Sequence, residues 1–144
     1  MRALVADARP DLLELAADAC GCDPFERLED GTRYQQPAIF CASLAGWERA
    51  RAEEPSVLAG HSLGEFAALT AAGALDELDA LRIVALRGAV MDDAARQGPP
   101  GGMLALRTDP TAAAEIARRS GLAIANENSP DQIVLAGPLA ALER

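Results

Sequence analysis

Lysine is absent from this chain of 144 residues: all thirteen basic residues are arginine, against 22 carboxylates, for a formal net charge of −9. Arginine alone reads as compositional bias. The acidic balance disfavours nucleic acid or an anionic membrane surface as the main partner. Aromatic residues are scarce at 3%, so Leu, Ala, Val and Ile must fill the core. Histidine occurs once, as His61. The three cysteines, Cys20, Cys22 and Cys41, form an odd set without two-pair metal spacing,. Cys20-Gly21-Cys22 has one residue between its thiols, not the two of the usual redox motif,. These thiols read as buried or incidental in a reducing cytoplasm. There is no apolar run at the N-terminus like that of a signal peptide, and no stretch is long enough to span a bilayer. A cytoplasmic protein without a membrane, metal or bound cofactor is the expectation.

Half of the residues are hydrophobic and 24% are charged, which fits a globular chain with one substantial core and excludes disorder. The centre of interest is Gly60-His61-Ser62-Leu63-Gly64. Residues 57–59 before it are apolar and β-prone, and residues 63–72 after it are helix-prone, with Gly73 as the stop,. Glycines flanking a serine at a strand-to-helix junction allow a turn sharp enough to project the hydroxyl. The following helix then aims its N-terminal amides at whatever the serine attacks. That is the layout of an acyl-transfer nucleophile; the plain alternative is a tight turn whose serine caps a helix.

Along the chain, residues 10–20 predict a helix stopped by Gly21, and residues 30–32 a turn,. Gln36-Pro37 predicts the start of a second helix, apolar on most sides through Ala38, Ile39, Phe40, Leu44 and Trp47,. Residues 49–55 read as a charged loop leading to a strand at 56–59. Residues 76–95 predict a long helix capped by Asp76,. Residues 97–102 are a Gly/Pro breaker cluster and the best internal boundary,. Beyond it the pattern predicts a strand at 103–107, a helix at 109–120, strands at 122–125 and 132–136 joined by a loop over 126–131, and a helix after Gly137-Pro138. Strand-helix-strand-strand-helix resembles a ferredoxin-like subdomain lacking its last strand.

On a helical projection of residues 76–95, one arc holds Val90, Ile83, Ala94, Ala80, Met91 and Val84, with Arg87 at its centre,. A guanidinium on an apolar face needs an anionic partner. Two readings stand: an internal ion pair, with Glu65 as a candidate, or a socket that grips a substrate carboxylate through two parallel hydrogen bonds.

Five blocks in this order resemble the malonyl-CoA:acyl-carrier-protein malonyltransferases, the acyltransferases of fatty-acid and polyketide synthesis. They are Thr32-Arg33-Tyr34-Gln35-Gln36-Pro37-Ala38, Gly60 to Phe66, Arg87-Gly88 with Met91, Gly101-Gly102-Met103, and Asn126 to Gln132. The resemblance implies an α/β fold: a partial α/β-hydrolase-like large subdomain over residues 1–98 and an inserted, truncated ferredoxin-like small subdomain over 99–144. It implies Ser62 as the nucleophile taking malonyl from malonyl-CoA and passing it to the phosphopantetheine thiol of an acyl carrier protein. The Leu63 N–H would be one oxyanion donor, and Arg87 would hold the malonyl carboxylate. His61 and Met91 would contact substrate, and Asn126 and Asn128 would line the cleft, unless they only cap a turn.

The resemblance also implies departures. In the family, a glycine- and glutamine-containing loop before these blocks supplies the second oxyanion donor, and a catalytic histidine follows them; neither is found here. His61, adjacent to Ser62, is poorly placed as its base. An incomplete copy, inactive or aggregation-prone alone, is therefore expected. The rival classes are a serine esterase, which leaves Arg87 unexplained, and a non-catalytic module binding CoA or carrier protein. For the latter, a basic patch from Arg49, Arg51, Arg118 and Arg119 is the feature to look for.

Overall fold

A computed structural model describes residues 1–50 and 55–144. The loop expected at 49–55 lies largely outside the described residues. The chain is an α/β protein in two compact units, Met1–Asp93 and Ala94–Arg144. The described helices are α1 (Arg2–Ala8), α2 (Asp11–Cys20), α3 (Thr32–Ala50), α4 (Gly64–Ala71), α5 (Glu77–Gln97), α6 (Pro110–Ser120) and α7 (Leu139–Leu142). The strands are β1 (Gly101–Arg107), β2 (Ala123–Ser129) and β3 (Gln132–Pro138). None of the described helices is long and apolar enough to cross a membrane.

The first unit is built around α3. Phe40, Cys41, Leu44 and Ala45 pack there with Val5 of α1, Leu12 and Ala16 of α2, Phe25, Ala67 of α4, and Ala80, Leu81 and Val84 of α5. With apolar residues on most sides, α3 gains from neighbours all round, as its sequence predicts. Its start differs from expectation: the helix begins at Thr32, so Pro37 lies inside it. The additional turn is held by Gln36 Nε2 donating to Thr32 Oγ1 at 2.9 Å. It is also held by Arg27 stacked 4.2 Å from the centre of the Tyr34 ring,.

Local signals set the helix ends. Gly21, Gly73 and Gly121 take left-handed φ of 71°, 71° and 66° just past their helices,. Asp76 Oδ1 accepts from the N–H groups of Leu78 and Asp79, and Asp109 Oδ1 from those of Thr111 and Ala112,. Arg9 forks onto both oxygens of Asp11 and of Glu77, with distances of 2.6–3.0 Å. This ties the corner between α1 and α2 to the start of α5. Hydrogen bonds to Asp11, then Glu77, push the Arg9 guanidinium above its ordinary range, and the bond to Arg9 holds the Asp11 carboxyl below its own,.

Three expectations need correction. Residues 56–59 form no strand, and Val57 is 80% exposed. Apolar β-prone residues become a strand only beside another, and every described strand lies in the second unit,. The face of α5 is also rotated. Its buried stripe is Ala80, Leu81, Val84, Gly88 and Asp92, while Ile83, Val90 and Met91 are 42%, 57% and 45% exposed. Arg87 sits at the margin of the stripe. Finally, the loop expected over 126–131 is mostly strand.

In the second unit, β3 lies between β1 and β2, antiparallel to both. Only Pro130 and Asp131 turn the chain between β2 and β3. Asn-rich β2 pairs in spite of its low strand propensity, with breaks in register after Ile124 and Glu127,. Ile133 and Leu135 of β3 are fully buried with Ala113 and Ala117 of α6. At Gly102, a Cβ would lie 3.1 Å from Leu139 of α7, so the glycine gives that helix room on β1,.

Phe40 is the largest fully buried side chain. Phe40→Ala is expected to lower unfolding stability by about 3–5 kcal/mol, read from urea titration at unchanged slope. A loss under about 1 kcal/mol, the scale of an ordinary surface change, would show that α3 is not the centre of the first unit.

Candidate active site

Ser62 has a left-handed backbone, with φ 53°, and is the only described residue other than glycine with positive φ. Such a conformation costs an L-residue roughly 1–2 kcal/mol. The strain buys a sharp reversal into α4, where Gly64 N donates to His61 O at 2.9 Å and Glu65 N to Ser62 O at 3.2 Å. Gly60 closes the turn from the other side. A Cβ there would lie 2.0 Å from the carbonyl atoms of Gly64 and 2.4 Å from Glu65 N. No side chain fits at 60. The second glycine of the motif is different, because a Cβ on Gly64 would meet nothing within 4 Å. Of the two glycines expected to permit the turn, only Gly60 is required by space. His61 and Ser62 are exposed, and Leu63 is half-buried against the core of the first unit.

Arg87 reaches this turn from α5. Its Nη2 donates to Ser62 Oγ at 2.9 Å, and its Nη1 donates to Oε1 of Gln36. Both described partners are neutral, so the suggested ion pair with Glu65 gives way to a hydroxyl and a carboxamide. A permanent cation at Oγ favours negative charge on that oxygen. It has no lone pair with which to take the hydroxyl proton. Gln36 is 5% exposed, and its Nε2 lies 3.3 Å from Met91 Sδ as well as donating to Thr32. Ser62, Arg87 and Met91, named from the sequence, thus come together in one unit through Gln36.

Gln36 was missed as a site residue. Its signal was a polar side chain at the head of the i, i+4 series Gln36, Phe40, Leu44, on the buried side of α3,. Asn126 and Asn128 lie in the second unit, on β2: Asn126 pairs with Val134 just after the first register break, and Asn128 falls in the second. Asn128 Nδ2 donates to Gln132 Oε1 at 3.0 Å across the turn.

Cys41 and Cys20 offer no competing nucleophile. Burial pushes Cys41 up to about 12 and Cys20 up to about 11, so neither is a thiolate at neutral pH. Among the described residues, no group of three His, Cys, Asp or Glu side chains could hold a metal ion. Of the arginines considered for a basic patch, Arg49 lies 3.6 Å from Asp7 and Arg118 2.8 Å from Glu115; Arg51 lies outside the described residues.

Comparison with known proteins identifies the family. The model of the family described as "Acyl transferase domain" matches residues 22–144. The malonyl CoA-acyl carrier protein transacylase of Haemophilus influenzae is 36% identical over 144 residues, covering 90% of this chain and 46% of that protein. The polyketide biosynthesis protein ThaF of Burkholderia thailandensis is 40% identical over 149 residues, covering 94% of this chain but 13% of its own length. Among solved structures, FabD of Acinetobacter baumannii superposes with a TM-score of 0.82 at 34% identity, over 99% of this chain and 51% of that one. The chain therefore spans about half or less of the proteins it matches. A family model covering most of the chain, together with relatives above 30% identity, means that this protein belongs to the acyl transferase domain family.

Proposed function

We propose that the chain carries the nucleophile and the substrate anchor of a malonyl transfer from malonyl-CoA to the phosphopantetheine thiol of an acyl carrier protein. The carrying observation is the hydrogen bond from Arg87 to the hydroxyl of a strained Ser62. In a malonyl thioester, one methylene separates the reacting carbonyl from the free carboxylate. An anchor for that carboxylate must therefore stand beside the nucleophile, as Arg87 does. A longer diacid would carry its carboxylate past this position.

In the first half-reaction Ser62 Oγ attacks the thioester carbonyl, its proton leaves to a base, and the CoA thiolate departs from the tetrahedral adduct. The Leu63 N–H, at the entry to α4, is the proposed donor to the adduct's oxyanion. In the second half-reaction the carrier's thiol attacks the seryl ester and Ser62 recovers its proton. His61 and Met91 would line the acyl group, and Asn126 and Asn128 the cleft. The names of the relatives supply the substrate and the carrier; a cytoplasmic setting fits them.

The finer architecture is also proposed: residues 1–98 as a hydrolase-like part bearing the nucleophile, and 99–144 as a ferredoxin-like part. The strand order β1-β3-β2, with α6 joining β1 to β2, supports the latter,. His61 is the chain's one histidine, and its position next to Ser62 on the chain suits substrate contact better than proton transfer. We therefore infer that Ser62 in these 144 residues acylates slowly.

Three outcomes test this reading. Intact-protein mass spectrometry after incubation with malonyl-CoA should find slow, partial labelling that disappears in Ser62→Ala. Rapid and complete labelling would refute the inference about the base. Arg87→Ala should slow malonyl labelling by about ten- to a hundredfold, the value of a hydrogen-bonded charge, and leave acetyl labelling unchanged. An equal loss for both acyl groups would dismiss Arg87 as the carboxylate anchor. Ser62→Gly should raise unfolding stability by about 0.5–1 kcal/mol, because glycine accepts the left-handed backbone but is freer when unfolded. Destabilisation by that substitution would mean that the turn is not strained.

A further inference from the structure

We propose that Gln36 and Gly88 are positioning residues for Arg87. The buried Gln36 carboxamide holds the guanidinium without neutralising it, and the missing side chain at Gly88 lets α5 come close enough to α3 for that bond to form. The proposal rests on the reading of Arg87 as the carboxylate anchor.

The orientation of the Gln36 amide is fixed by its neighbours. Arg87 has only donors, so the carboxamide oxygen must face it,. The amide nitrogen then turns to two acceptors, Thr32 Oγ1 and Met91 Sδ. Gln36 is nearly inaccessible to water, which makes a loss of either partner costly and the geometry stiff. Thr32 sits one turn earlier on α3 and Met91 one turn after Arg87 on α5, so the amide bridges the two helices.

Gly88 controls the spacing. A Cβ at this position would lie 2.9 Å from Thr32 O, 3.1 Å from Arg33 O and 3.2 Å from Arg33 Cα, all backbone atoms that cannot swing aside. Pro37 lacks the N–H that would otherwise bond to Arg33 O along the helix,. The first turn of α3 therefore meets α5 backbone to backbone, one residue from Arg87. Any larger residue at 88 pushes α5 outward and lengthens the bond from Gln36 to Arg87.

The choice of an amide has a chemical reason. A carboxylate at position 36 would fix Arg87 equally well, but would satisfy its charge and compete with a substrate anion. An amide oxygen orients the cation and leaves its charge for the ligand.

The test uses the whole 144-residue chain and reads Arg87 directly, by nitrogen-15 NMR of the guanidinium groups at low temperature. The Arg87 signals are assigned by their loss in Arg87→Lys, and circular dichroism melting verifies the fold of each variant. In the unaltered chain, the two Arg87 Nη groups should be resolved. In Gln36→Leu and Gly88→Ala they should average through rotation, and affinity for free malonate should fall about tenfold. Gln36→Glu should keep Arg87 ordered yet bind malonate at least tenfold more weakly, which a merely structural role for Gln36 would not produce. Resolved, unchanged Arg87 signals in a folded Gln36→Leu chain would overturn the proposal, whatever Gly88→Ala does. An ordered Arg87 in an unaltered chain that does not bind malonate would refute the anchor reading while leaving the positioning intact.

Discussion

The close approach of α5 to the first turn of α3 at Gly88 is the constraint on which the placement of Arg87 depends. Helix α3 is buried on most of its surface, so its position is set by the core rather than by local propensity,. Helix α5 buries Ala80, Leu81, Val84 and Gly88, and at Gly88 it lies against the first turn of α3. A backbone-to-backbone approach at Gly88 admits little sliding, because its tolerances are tenths of an ångström,. The guanidinium carried one residue away inherits that accuracy. Ser62 belongs to a different element, the turn into α4, and is brought to Arg87 because α4 also packs on α3.

Charge plays a different part in the site from that in the rest of the unit. Arg9, Arg27 and Arg33 meet carboxylates; Arg9 and Arg33 reach α5 from other elements, and Arg27 pairs locally with Asp30. Such partly exposed pairs contribute modestly to stability. Arg87 instead meets two neutral oxygens. A cation surrounded by neutral acceptors keeps most of its field for an incoming anion, the opposite of what structural ion pairing achieves.

Much of the fold was legible because it is encoded locally. The helix ends at Gly21, Gly73 and Gly121, and the caps at Asp76 and Asp109, require only neighbouring residues, and the motif around Ser62 was visible for the same reason. What failed depends on distant partners. Residues 57–59 have strand-forming side chains but no neighbouring strand, and nothing local to them supplies one. Asn126 joined β2 because pairing with Val134 of β3 outweighed its preference for turns, and Asn128 is carried along at a register break. The face of α5 was misjudged because an apolar count gives Gly88 no weight, although the absent side chain there directs the helix. Helix α1, only seven residues from Arg2 to Ala8, is too short to carry a periodic signal of its own. Gln36 was overlooked because polar residues near a helix start normally face water.

The turn at Ser62 is shaped by main-chain packing: Gly60 lies directly on the first peptide of α4, and the side chains on either side of the serine take no part in that contact. Placement of the hydroxyl is thereby separated from the chemistry around it. Position 61, exposed beside the serine, can change its side chain without disturbing that contact, whereas Leu63 is tied to the core. An attacking atom held by the main chain tolerates change in the exposed side chain beside it.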